Sequence, residues 1–233
     1  DAEAQAEVIT PGGAAMPQHT GHRRAAPLSR AGLLTAVAAL TARDRGLARV
    51  VDAYGPPPLW ARPGGFRTLV KFILEQQVSL ASAASLFKRV DGELRGGWSP
   101  GAVAKAGEVG MRGYGLTRQK SAFVVALAEQ VGDDPQWFRR LARLDDEDAH
   151  ATLTALHGIG PWTASIYLIM VLRRPDVWPP GDLALHKAMG GLPGQRRTPS
   201  TDEATAIAER WAPHRATAAR ILWHGYLGQK AQG

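Results

Sequence analysis

The chain has 233 residues, 45% of them hydrophobic, and a formal net charge of +7. That is enough apolar length for one large domain or two small lobes with a core that needs no covalent staples. Cysteine is absent, which excludes disulfides, a thiol nucleophile, thiolate zinc sites and a cysteine-held iron–sulfur cluster.

Residues 1–28 mix Ala, Gly and Pro with a basic cluster, His22-Arg23-Arg24. They lack periodicity and read as an irregular, solvated leader. Asp1–Glu7 are acidic and polar, the wrong start for a secretory signal. The predicted helical domain runs over 29–233. Ser29 is a candidate N-cap, and Leu33, Leu34, Val37, Leu40, Leu47, Val50 and Val51 recur at helical spacing. Gly55-Pro56-Pro57-Pro58 then breaks the chain.

A second helical block is predicted from about Phe66 to Val90, interrupted near Gln76–Ser79, with Ser79 capping its second half. Gly96-Gly97 and Ser99-Pro100-Gly101 punctuate the next stretch. A helix over Thr117–Val131 carries the stripe Phe123, Val124, Leu127, Val131, and another spans about Asp145–Leu156. After a Pro-rich link at Pro175–Pro180 and a loop at Gly190–Pro199, two closing helices cover about Thr201–Trp211 and Arg215–Leu227. Strand signals are few, no run of about 18 apolar residues suits a membrane span, and the expected fold class is all-α.

The most informative stretch is Leu156-His157-Gly158-Ile159-Gly160-Pro161-Trp162-Thr163-Ala164. A helix ends at Leu156, Gly158 and Gly160 permit backbone angles closed to other residues, and Pro161 suits the first turn of a new helix. Ile159 can anchor the turn in the core. Such a turn presents backbone N–H groups at a helix N-terminus, an anion site fit for a DNA phosphate. An ordinary glycine-bearing helix connection reads the same way from these residues alone.

This motif, followed by Pro179-Pro180-Gly181-Asp182-Leu183, resembles the helix-hairpin-helix DNA glycosylases, and within them the bacterial 3-methyladenine DNA glycosylase II type. Gly65–Leu69 through Ile73–Ser79 resembles the family's early helix-turn-helix, and Gly115–Lys120 its mid-domain helix start. The resemblance covers about Asp52 to Leu227, a compact form without the extra N-terminal β-rich domain of longer members. It implies a two-lobed helical fold with the active-site cleft between the lobes.

The resemblance also implies roles. Asp182 becomes the catalytic carboxylate; an Asp after Gly is otherwise a turn or N-cap residue. Trp162 stands where strand-cutting relatives carry a Schiff-base Lys, so a monofunctional enzyme is expected. Trp162, Ile166 and His214 are the candidate base pocket; Ile166 and His214 replace aromatic residues of some members. Trp60, Tyr114, Trp178 and Trp223 read as core aromatics. Gly158, Ile159, Gly160, Thr163, Lys120, Gln76 and Gln77 are the candidate DNA-contacting residues, the Gln76–Val78 turn supplying the plug behind a flipped base. Gln76 and Gln77 can equally serve only to satisfy helix ends. Arg112, Arg118, Arg173 and Lys187 are further phosphate candidates.

The expected substrate is duplex DNA carrying alkylated purines such as 3-methyladenine and 7-methylguanine, met by a monomer in the cytoplasm, on nucleoid DNA. No cofactor and no metal on side chains is expected; the sequence neither requires nor excludes a monovalent or divalent cation on the hairpin carbonyls. Two alternatives stay open at this point: a glycosylase for other damaged or mismatched bases, and a non-catalytic DNA-binding module.

Overall fold

The computed structural model describes residues 25–132, 134–194 and 197–232; His22-Arg23-Arg24 lie outside them. All regular structure among the described residues is helical. Twelve α-helices are described: α1 (Arg30–Arg43), α2 (Arg45–Tyr54), α3 (Phe66–Glu75), α4 (Leu80–Glu93), α5 (Pro100–Gly113), α6 (Arg118–Val131), α7 (Trp137–Leu141), α8 (Asp146–Thr154), α9 (Pro161–Met170), α10 (Leu183–Gly190), α11 (Thr201–Ala208) and α12 (Arg215–Gln232). A 3-10 turn, Glu209–Trp211, follows α11.

Local chemistry sets most helix starts. Ser29, Asp44, Ser79, Ser99, Thr117, Asp145, Asp182 and Ser200 each precede a helix and accept a first-turn N–H on the side chain, satisfying donors the helix itself leaves open. The helices pack in two groups. One lobe is built from α3 to α9; the other joins the N-terminal α1 and α2 to the C-terminal α10, α11 and α12. α9 is apolar around most of its circumference and is buried from Thr163 to Ile169. Arg220 of α12, fully buried, donates to the carbonyls of Leu59 (3.0 Å) and Ile169 (2.7 Å) and so ties α12 to the end of α9.

Three details depart from the sequence reading. The first predicted helical region is broken at Asp44, whose carboxylate caps α2 and accepts the Trp211 indole N–H at 2.8 Å. α5 was masked by its glycines, which lower helix propensity; Gly107 sits at φ 62 and kinks it. Leu28, at the expected end of the leader, is buried, and its N–H donates to the Arg173 carbonyl at 2.7 Å.

Candidate active site

The hairpin is the turn between α8 and α9. Gly158 adopts φ 84, and a methyl group there would overlap the Phe123 ring of α6. The turn is therefore pressed against the lobe that carries it. Ile159 is 4% exposed and pins the turn to the core, so only its backbone is available to a ligand. Gly160 corrects the expectation for this turn: its φ of −86 and ψ of 174 are ordinary extended backbone, and nothing lies within 4 Å of where its Cβ would be. It is the N-cap of α9, and no side chain caps that helix, whose first residue, Pro161, has no N–H to satisfy. What glycine provides at 160 is room in front of the helix.

The turn after α3 braces the hairpin. Gln76 donates its side-chain amide to the Gly158 carbonyl (3.1 Å) and to Thr163 Oγ1 (3.0 Å). Gln76 and Thr163 were both candidate DNA contacts; the structure uses each on the other, and Thr163 is 2% exposed. Lys120 is half-exposed and also engaged within the protein. Its ammonium donates to the Leu74 carbonyl at 2.7 Å, near the C-terminal end of α3 where cations are favoured, and burial lowers its pKa. Gln77 remains exposed, at φ 56, with exposed Val78 and Leu80 beside it. Gln76→Leu should cost about 1–3 kcal/mol, because the buried Thr163 hydroxyl and the half-buried Gly158 carbonyl lose their amide partner. Thermal unfolding checks this: an unchanged Tm would mean the amide bridge contributes nothing.

Asp182 closes the site. Gly181, at φ 73, turns the chain after Pro179-Pro180 and places Asp182 as the N-cap of α10. The carboxylate is 8% exposed and accepts three hydrogen bonds. Oδ1 takes the Leu185 N–H at 2.9 Å and the Trp223 indole N–H at 3.2 Å, and Oδ2 takes the Trp162 indole N–H at 2.9 Å. An ionised carboxylate is an acceptor-only group, and three converging donors suit it. The structure thus brings the hairpin's Trp162 onto Asp182, twenty residues further along. It also adds Trp223, read from the sequence as core. Trp223 is buried, and no local pattern marks its indole N–H as a partner of a residue 41 positions away.

The remaining pocket candidates divide. Ile166 lies one turn after Trp162 on the same helix face but is 4% exposed, so it belongs to the core beneath the site and not to an open pocket wall. Tyr167 points instead toward α3, where its hydroxyl accepts the Gly65 N–H at 3.2 Å, and burial pushes its phenol up to about 12. His214 is half-exposed at the start of α12, its carbonyl accepting the Ala218 N–H. Among the other basic candidates, Arg112, Arg118 and Lys187 are exposed and Arg173 is half-exposed at the end of α9. A groove of about 550 Å³ lies against the Ser165–Leu168 side of α9, lined by Asp146, Glu147, His150 and Asp176. It contains neither Asp182 nor Trp162, and its acidic rim is the wrong sign for a polyanion.

Residues 70–214 match the family model of the HhH-GPD superfamily base excision DNA repair proteins. The chain belongs to this family. It is 27% identical over 172 residues to a DNA-3-methyladenine glycosylase of Bacillus subtilis, an alignment covering 69% of this chain and 57% of the relative. Two B. subtilis relatives are thus spanned over only 64% and 57% of their length. A solved DNA-3-methyladenine glycosidase from Bacillus halodurans superposes with a TM-score of 0.70 at 27% identity, covering 84% of this chain and 91% of that one. The 3-methyladenine DNA glycosylase Mag1 of Schizosaccharomyces pombe, solved in complex with abasic DNA, gives 0.69 at 25% identity, covering 81% and 95%. HhH-GPD membership and the two-lobed helical fold therefore stand together, and no helix among the described residues is long and apolar enough to cross a membrane.

Proposed function

We propose that the chain is a monofunctional DNA glycosylase that excises alkylated purines from duplex DNA, with Asp182 as its catalytic carboxylate. The observation that carries this reading is the Asp182 carboxylate, held by Leu185, Trp162 and Trp223 at the foot of the hairpin helix. Cleaving an N-glycosidic bond builds positive charge on the sugar, and a fixed, mostly desolvated carboxylate stabilises that charge without having to reorganise. Both acceptor positions of Oδ1 are occupied, so Oδ2 is the oxygen with capacity left for the sugar cation or the attacking water.

The chain's other residues fit the same reading. The uncapped start of α9 takes a phosphate through backbone N–H groups, a contact that holds any sequence. The target base is flipped out of the stack, and exposed Gln77, followed in the chain by exposed Val78 and Leu80, lies on a turn suited to fill the gap. Trp162 has no amine for a Schiff base, which supports base removal without strand cleavage. Its ring stays partly open beside Asp182, and an aromatic face attracts a cationic methylated purine by roughly 1–2 kcal/mol when desolvated. A cationic base also departs without a proton, so one carboxylate suffices. His214 joins the pocket on resemblance alone. The hairpin carbonyls are a candidate cradle for a structural cation, though the Gly158 carbonyl already takes the Gln76 amide; the chemistry itself calls for no cofactor. The chain acts as a monomer on cytoplasmic duplex DNA.

Duplexes carrying one lesion each test this. Released 3-methyladenine or 7-methylguanine, with the strand intact until alkali treatment, is the expected result. Nicking without alkali would overturn the monofunctional reading. Release confined to oxidised or deaminated bases would overturn the alkyl preference, and binding without release of any base would leave a non-catalytic module.

A further inference from the structure

We infer that Trp223 is a positioning residue for the reaction: its indole N–H sets the plane of the Asp182 carboxylate and so decides which oxygen meets the sugar. This rests on the reading of Asp182 as the catalytic carboxylate. An N-cap aspartate is held at one oxygen by the helix, here by the Leu185 N–H at 2.9 Å. That bond alone leaves rotation about the last side-chain torsion soft, because an sp³–sp² torsion has broad preferences. Trp223 adds a second donor to the same oxygen at 3.2 Å, and Trp162 holds the other at 2.9 Å. With the two indoles in place the carboxylate is fixed at both ends, and Oδ1 has no acceptor position left.

Two other buried tryptophans show that this is more than packing. Trp178, 8% exposed like Trp223, leaves its indole N–H without a partner, so burial in this fold does not by itself bring an indole to a carboxylate. Trp211 donates to Asp44 at 2.8 Å, where Asp44 caps α2. That pair repeats the indole-to-N-cap-aspartate bond of Trp223–Asp182, with Arg210 paired to the same carboxylate at 3.3 Å and no reacting group beside it. It is an internal control for a purely structural tryptophan–aspartate staple.

The test is single-turnover excision of a methylated purine from a duplex, with enzyme in excess, alongside the Kd for duplex containing an abasic site. Trp223→Phe keeps an aromatic ring and removes the N–H. Its excision rate should fall about tenfold or more, with the Kd held within about twofold. Trp211→Phe should lower thermal stability and leave the excision rate of the folded enzyme within about twofold. In an Asp182→Asn background, adding Trp223→Phe should lower the residual rate no further, because the residue acts through the carboxylate. Benzothienylalanine at 223 keeps the bicyclic shape and replaces only the N–H, so it gives the same readout if Trp223→Phe does not fold. The inference is overturned if Trp223→Phe excises at the wild-type rate, if its loss persists undiminished in the Asp182→Asn background, or if Trp211→Phe loses as much. Should Asp182→Asn itself keep full activity, the catalytic assignment falls and this inference with it. An inactive Asp182→Asn beside a fully active Trp223→Phe removes this inference alone.

Discussion

Asp182→Asn is expected to lose about 10²–10³-fold in base excision, the scale set by removing one preorganised charge-stabilising group from an enzyme site. The fold should survive, for reasons visible in the hydrogen bonds. Asn is as good an N-cap as Asp, and its carbonyl can keep both the Leu185 N–H and the Trp223 indole that now meet Oδ1. Its amide nitrogen must then face the Trp162 indole N–H, a donor against a donor where Oδ2 accepted before. That mismatch should cost about 1–3 kcal/mol of stability, well short of unfolding a domain of this size. Affinity for duplex containing an abasic site should be nearly unchanged, since the hairpin and the Gln77 turn are untouched. Single-turnover release of the methylated base, measured beside that affinity, separates the two quantities. A variant retaining more than about a tenth of the wild-type rate would mean that the negative charge at 182 is not what stabilises the sugar.

The second large effect lies in the hairpin, where two glycines two residues apart should behave in opposite ways. Gly158→Ala forces an L-residue into φ 84 and drives its methyl into the Phe123 ring. Backbone strain and overpacking each cost about 1–3 kcal/mol, so a loss of about 2–6 kcal/mol is expected. Calorimetry should show Tm falling by about 4–24 °C for a chain of this length. Trimming the ring, as in Phe123→Leu, should recover part of the loss. Gly160→Ala should leave Tm within about 1–2 °C, because its backbone is extended and its Cβ would meet nothing. It should instead weaken DNA binding by a similar factor on all sequences, since a methyl there stands where a phosphate approaches the start of α9. Equal Tm values for the two variants would overturn the packing argument, and unchanged DNA affinity in Gly160→Ala would take the phosphate away from this turn.

The contrast between these glycines shows what a local pattern carries. Gly-x-Gly-Pro read as a turn before a helix, and a turn is there. Which glycine the fold needs for its backbone and which it needs for space follows from Phe123, contributed by α6 some 35 residues earlier. Gln76 shows the same limit. In sequence it is one of two equivalent glutamines in a predicted plug; in the fold its amide reaches across to Gly158 and Thr163, and only Gln77 is left facing out. Lys120, a natural phosphate candidate by charge, is drawn to the end of α3 because the Leu74 carbonyl is an acceptor within its reach.

The amino-acid sequence by itself determined the helical class, most helix starts, the hairpin and the position of Asp182. These are decided over a few residues, by capping side chains, glycine and proline torsions and the spacing of apolar groups, and such signals are legible wherever they occur. It also determined the absence of a Schiff-base lysine at 162, which is a matter of residue identity. Only the tertiary structure decided how the carboxylate is held. The indoles of Trp162 and Trp223 come from α9 and α12, 61 residues apart, and meet Asp182 because α10 is packed against α12. Donor and acceptor have no common period and no fixed spacing along the chain. Their pairing exists only once the helices are packed, and the assignment of Oδ2, which accepts one bond where Oδ1 accepts two, as the oxygen with capacity left exists only with it.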